Sequence, residues 1–191
     1  MNKRSVLAMV SLLIIPTAYA EIDWSPKLTE LQDSCSTVFH VMDEIPNQYQ
    51  RSIIKKYDTT VKDKYSGNNI TTTYRLKNAT AFGVPLVKIE EDINDSDMHS
   101  KGLSLTFKNT DFMKLRTSFY YTAKSEYNDE YKITMDSPAS GHYRKNNIDV
   151  KFKNTKLGYQ VEDHTNDYMS CWTSLNFDKT KRTLSCSMSC G

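Results

Sequence analysis

The 191 residues include 25 Lys and Arg against 23 Asp and Glu, with 38% hydrophobic and 11% aromatic residues. This length suits one domain of ordinary size, and the aromatic content with little net charge excludes a disordered chain. Because the formal net charge is only +2, the composition argues against a nucleic-acid-binding protein that depends on counterion release.

Residues 1–20 have the three parts of a secretory signal peptide. A short basic segment precedes an apolar run over 6–15, and Ala18 and Ala20 stand at positions −3 and −1 of a cut after Ala20. The run is shorter than the roughly 20 apolar residues that span a bilayer, and no second run approaches that length. The sequence predicts an exported mature chain, 21–191, that is periplasmic or secreted and not stably inserted in a membrane.

The first part of the mature chain, 26–64, has the pattern of one or two helices. Ser25-Pro26 suits a helix start, because Ser caps free backbone N–H groups and Pro tolerates the first helical position. Apolar residues then recur at helical spacing to about Glu44, where Ile45-Pro46 ends the stripe. A second, more polar helix is predicted over 47–64.

Over 68–190 the hydrophobic period changes to two, as in β-strands. Turn-forming pairs such as Asn128-Asp129 and Ser137-Pro138 separate the short apolar runs. Consecutive short strands indicate an antiparallel sheet. The expected fold is therefore α+β: a single domain, 21–191, with one or two N-terminal helices packed on a largely antiparallel β-sheet and stapled by disulfides.

All four cysteines, Cys35, Cys171, Cys186 and Cys190, lie in the mature chain. An even number in an exported protein is typical of two disulfides. On a strand, Cys186 and Cys190 would lie about 13 Å apart, beyond the roughly 7 Å between Cα atoms that a disulfide tolerates. We expect Cys171–Cys186 across a hairpin and Cys35–Cys190 from the first helix to the chain end. Zinc binding is the disfavoured alternative, since no C-x-x-C occurs.

The segment 137–144 is the candidate binding site. It combines small residues, including Ser140, with a tip formed by His142, Tyr143 and Arg144. Aromatic and Arg side chains are enriched at binding hot spots, and the Pro and Gly of the segment shape its backbone for close approach. The sequence predicts that these four residues contact a partner, and an ordinary hairpin loop is the alternative.

Three further features each allow a functional interpretation and a purely structural one. His164 lies among carboxylates, as a base or metal ligand does, but a polar loop explains the same run. The acidic stretch 90–97 has the composition of a calcium site, yet Asp97 and Leu103 occupy the EF-hand positions for Gly and Glu. The tyrosines of 120–131 can stack on a sugar or a protein, although Tyr is also common in strands.

No nucleophile-elbow, zinc-protease, phosphate-loop or dinucleotide motif occurs. We therefore predict a non-enzymatic exported binding protein with no cofactor and no metal. An inhibitor or immunity-type protein fits this description, with another protein or a cell-envelope component as its partner. The alternatives are a hydrolase of envelope polymers with unassigned acidic residues and a carrier of glycans or other ligands. An enzyme would show a cleft with convergent groups of shifted pKa.

Overall fold

The computed structural model describes residues 21–35, 42–63, 67–94, 99–166 and 169–191. Strands make up 63% of the described residues and helices 13%, so the expected α+β fold with helices packed on a sheet is wrong. The predicted signal peptide, 1–20, lies outside the described residues. No helix within the described ranges is long and apolar enough to cross a membrane.

The N-terminal helical segments are single turns, and the first predicted helix, from Ser25-Pro26 to about Glu44, is wrong because the chain becomes extended at Asp33. Helix α1 (Ser25–Leu28) runs into a 3-10 turn (Thr29–Gln32), and α2 (Asn47–Gln50) is equally short. The second predicted helix, over 47–64, is mostly strand β2 (Ile53–Asp63). This strand pairs antiparallel with β3 (Gly67–Ala81) along nearly its whole length. Its β-branched residues suit an extended chain, and the hydrogen bonds to β3 outweigh a helical periodicity that was already largely polar.

The described residues form twelve strands, ten of them in one sheet. Besides β2 and β3 these are β1 (Ile22–Asp23), β4 (Val84–Asn94), β5 (His99–Phe107), β6 (Tyr120–Lys124), β7 (Glu130–Thr134), β8 (Ser140–Lys145), β9 (Ile148–Thr155), β10 (Gly158–Asn166), β11 (Met169–Asp178) and β12 (Thr183–Cys190). The sheet order is β1-β3-β4-β5-β12-β11-β10-β9-β8, with β2 also paired to β3. The β1–β3 pair is parallel and the other pairs are antiparallel, so the sheet is mixed.

One face of this sheet, here called the inner face, is buried. The N-terminal turns, a 3-10 helix (Asp111–Ser118) and the β6–β7 hairpin contribute to the core that covers it. Phe112 of that helix stacks between Phe107 of β5 and Phe177 of β11, with ring centroids 5.1 and 6.1 Å away. The opposite, outer face of β8–β12 carries the exposed and half-exposed side chains of each strand.

The expectation of two disulfides is confirmed, but the predicted pairing is wrong. The bonds are Cys35–Cys186 and Cys171–Cys190, and none of the four thiols is free. The register of the β11–β12 hairpin places Cys171 directly opposite Cys190, whereas Cys186 lies opposite Leu175. Cys186 is buried on the inner face, where it meets the buried Cys35. Leu175, which lies opposite Cys186, is four residues away from Cys171 along β11. This separation is too large for a disulfide between Cys171 and Cys186.

Candidate functional site

The predicted binding residues lie on an edge strand rather than in a loop. Strand β8 pairs with β9 and with no other strand of the described chain. Since successive side chains of a strand point to opposite faces, Ser140, His142 and Arg144 lie on the outer face and are exposed. Gly141 and Tyr143 lie on the inner face. The structure therefore brings three of the four predicted residues together and separates Tyr143 from them.

Tyr143 packs against the edge of the core. Its ring stacks on Tyr131 of β7, with centroids 3.8 Å apart and planes within 8°. Gly141, its neighbour on the same face, lies against Phe152, and a Cβ there would come within 2.7 Å of the phenyl ring. Gly141, one of the small residues of 137–144, thus leaves space for the core side chain of Phe152. A binding role for Tyr143 stays a prediction.

Two of the outward residues of β8, His142 and Arg144, are held by one carboxylate of β9. Asp149 Oδ1 lies 2.7 Å from His142 Nε2, and Oδ2 lies 3.3 Å from Arg144 Nε. The hydrogen bond from His142 holds the pKa of Asp149 below its usual value, and the charge of Arg144 acts in the same direction. Arg144 and Asp149 also line a polar cavity of about 390 Å³ that His164 and Tyr127 border.

A second site, here called the outer groove, lies beside this cluster on the outer face of β9–β12. Its volume is about 540 Å³. Its exposed or half-exposed lining residues are Lys151, Lys153, Gln160, Glu162, Trp172, Ser174, Ser187 and Ser189. Trp172 stands between Glu162 of β10 and Ser189 of β12 in the strand register. Ser174 is paired with Gln160 on one side and Ser187 on the other, and the two serine hydroxyls lie 2.7 Å apart.

Trp172 is the feature of the outer groove that sequence reasoning missed. Its side chain is 43% exposed, whereas the other tryptophan, Trp24, is fully buried and donates a hydrogen bond to Ser52 Oγ. A signal was present in the sequence. Trp172 has the phase of the polar residues Ser174 and Asn176, which is opposite to that of the apolar residues of β11. A tryptophan on the polar phase of an amphipathic strand indicates an exposed ring.

The charged side chains of the outer groove are unequally paired. Glu162 lies 3.7 Å from Lys151 Nζ and 2.8 Å from His164 Nε2, and His164 Nδ1 lies 2.7 Å from Ser170 Oγ. Lys153 forms no ion pair with any described residue and is exposed. The groove therefore contains one engaged carboxylate and one available ammonium group.

The outer groove and the outward side of β8 form one continuous surface. In the β8–β9 register, Ser140 is paired with Lys153, and His142 is paired with Lys151. Lys151 and Lys153 are the lysines that line the groove. Two of the four predicted binding residues, Ser140 and His142, thus border the groove that contains Trp172, whereas Arg144 lies opposite Asp149, outside the groove lining.

The other sequence candidates do not converge on a site. Glu91 points inward and is buried, so desolvation raises the pKa of its carboxyl group, with Lys101 Nζ 3.5 Å away. Tyr121 is buried, donates a hydrogen bond to Asp163 Oδ2 at 2.6 Å, and has its pKa raised by burial. The end of the acidic stretch, 95–97, lies outside the described residues. Within the described part of the chain no three metal-ligating side chains come together.

Comparison with known proteins finds no matching family, no matching curated protein and no matching solved structure.

Proposed function

We propose that the mature chain is an exported, non-enzymatic binding protein of the bacterial periplasm, which recognises a protein or envelope component with the outer face of β8–β12. Two disulfides and no free cysteine are typical of a chain that folds in an oxidising compartment. The Ala-x-Ala site before Glu21 supports export.

The observation that carries this proposal is the exposure of Trp172 in the outer groove. A large aromatic ring left open among serine, glutamine and lysine side chains forgoes the gain from burial within the fold. Trp and Arg are the residues most enriched at binding hot spots. Arg144, which lies on the same face, extends the surface toward the sheet edge.

The alternative of an envelope-polymer hydrolase has less support. Among the residues that line the outer groove, Glu162 is the one carboxylate, and it already contacts Lys151 and His164. The pKa of Asp149 is lowered, which is the opposite of what a general acid requires. The buried Glu91, whose pKa is raised, lies on the inner face beside Lys101 and away from the groove.

The test measures binding of the mature protein to separated envelope fractions: peptidoglycan, outer membrane and periplasmic proteins. The wild type is compared with Trp172→Ala and with Ile54→Ala. Ile54 is a matched control because it is an exposed apolar residue on β2, at the other edge of the sheet. We expect Trp172→Ala to weaken binding at least about tenfold, as hot-spot residues do, and Ile54→Ala to leave it unchanged.

Thermal unfolding of the same variants verifies that the fold is intact. Binding that is equal in the wild type and in a folded Trp172→Ala variant would contradict the proposal, and so would the absence of binding to any fraction.

A further inference from the structure

We infer that the outer groove binds a carbohydrate chain that carries carboxylate groups. This inference rests on the proposed function and names the ligand class for the same surface. A pyranose ring has an apolar C–H face and a rim of hydroxyl groups. It is therefore best recognised by one flat aromatic ring surrounded by hydrogen-bonding side chains, which is the arrangement around Trp172.

The side chains that surround Trp172 match such a rim. Ser189 is paired with Trp172 in the ladder, and Ser174 and Ser187 lie one step further along the same two strands. Their short side chains leave a depression beside the indole, and their hydroxyls both donate and accept hydrogen bonds. Gln160 adds an amide on the side of β10. The volume of about 540 Å³ is in the range of small-ligand sites.

The outer groove is less suited to the apolar core of a protein interface. The remaining apolar residues in its lining, Phe152 and Val161, are 7% and 2% exposed and belong to the core of the sheet. Trp172 is therefore the single apolar ring available to a ligand in this groove. Protein interfaces instead cluster several apolar anchors at a desolvated centre.

The charged side chains of the outer groove indicate that the bound sugar is acidic. Glu162 is engaged by Lys151 and His164, whereas the exposed Lys153 has no ionic partner among the described residues. Lys153 lies opposite Gln160, which in turn lies opposite Ser174. Its strand is two strand spacings from β11, about 10 Å. A ligand that stacks on Trp172 and reaches Lys153 must therefore contain at least two sugar units, with a carboxylate at the Lys153 end.

The test begins with a glycan microarray that carries neutral oligosaccharides and oligosaccharides with uronic or sialic acids. The strongest ligand and its methyl ester are then titrated against the mature protein. Tryptophan fluorescence reports binding directly, because Trp24 is fully buried and Trp172 is exposed. A Trp172→Phe variant, which lacks the exposed tryptophan, shows how much of the fluorescence change comes from Trp24.

We expect acidic oligosaccharides to bind and methyl esterification to weaken binding about tenfold, because the ester removes the charge that pairs with Lys153. Lys153→Gln should weaken binding of the acid by the same factor and leave the ester unaffected. Trp172→Ala, which lacks the fluorescent reporter and is therefore titrated by isothermal calorimetry, should weaken binding of both. The control is Lys179→Gln, an exposed lysine in the β11–β12 turn outside the groove, which should change neither.

The outcomes separate this inference from the proposed function. If no carbohydrate binds while binding to a protein fraction still depends on Trp172, the inference is overturned and the proposed function stands. Equal affinity for the acid and its ester, or an unaltered affinity in Lys153→Gln, overturns the carboxylate requirement. If no binding of any kind depends on Trp172, the proposed function fails as well.

Discussion

Tyr143 and His142 are neighbours in the chain whose side chains have opposite surroundings. Tyr143 stacks on Tyr131 against the core, and His142 is exposed beside Asp149. We expect Tyr143→Ala to lower the free energy of unfolding by about 1–3 kcal/mol, through lost burial and lost ring stacking. His142→Ala should cost less than about 1 kcal/mol, since exposed ion pairs contribute little. Urea unfolding of both variants provides the measurement, and equal losses would contradict the assignment of the two faces of β8.

Asp149 is expected to make the stability depend on pH in the acid range. Its pKa in the folded protein lies below its usual value of 3.8, because His142 and Arg144 favour the charged carboxylate. A lowered pKa stabilises the fold above the unfolded value, and this stabilisation is lost as the pH falls below 3.8 through the folded value. As the pH falls from about 6 to about 3, the difference in free energy of unfolding between the wild type and Asp149→Asn should stay constant down to about pH 5 and then shrink, mostly below 3.8.

The total effect of Asp149 should stay below about 1 kcal/mol because the pair is partly exposed to solvent. His142→Ala is a useful companion variant, since it removes the hydrogen bond that is the largest cause of the lowered pKa and should reduce the same pH dependence. A stability difference between wild type and Asp149→Asn that is constant across this range would contradict the prediction.

At the scale of elements, the two disulfides are expected to differ in their resistance to reduction. Cys35 and Cys186 are 0% and 2% exposed, whereas Cys171 and Cys190 are half-buried at the open end of the β11–β12 hairpin. A thiolate must reach a sulfur atom to exchange with it. Limited reduction of the folded protein should therefore open Cys171–Cys190 first. Alkylation followed by peptide mass mapping measures this order, and early labelling of Cys35 or Cys186 would contradict it.

Both edges of the large sheet carry basic side chains. Strand β8 ends in Arg144 and Lys145, and β2, at the other edge, contains Lys55, Lys56 and Lys62. Basic side chains on edge strands discourage pairing with another chain. This is a structural explanation for some of the charge in 137–144, and it applies whether or not the segment contacts a partner.

At the scale of the whole molecule, the predicted removal of 1–20 would take away two basic residues and no acidic one, which would leave a formally neutral mature chain. Long-range steering toward nucleic acid or anionic lipid would then be weak, and the proposed recognition by the outer groove would depend on local contacts. We expect mass analysis of the exported protein to show a first residue of Glu21, directly before β1. A mature form that keeps Met1 and sediments with membranes would contradict the export argument.

The sequence by itself determined the properties that depend on composition and short-range pattern. The even number of cysteines predicted two disulfides, which the structure contains. The period of two beyond residue 68 predicted strands, because alternation along a strand is visible within a few neighbouring residues. The helix start at Ser25-Pro26 was also predicted from neighbouring residues, and α1 begins there, although Ser25 does not cap it and it ends at Leu28 rather than near Glu44.

The tertiary structure alone decided which distant residues meet. Strand β2 is extended because β3 supplies its hydrogen-bonding partner, and isolated periodicity over 47–64 contains no information about that pairing. The cysteine pairing follows from the β11–β12 register, which places Cys190 opposite Cys171.

The outer groove assembles residues from four strands. Trp172 therefore becomes a candidate binding residue only when the paired strands bring Glu162, Ser189 and the lysines of β9 beside it. Register between strands is a long-range property, and a single sequence specifies it only through the energy of the complete fold.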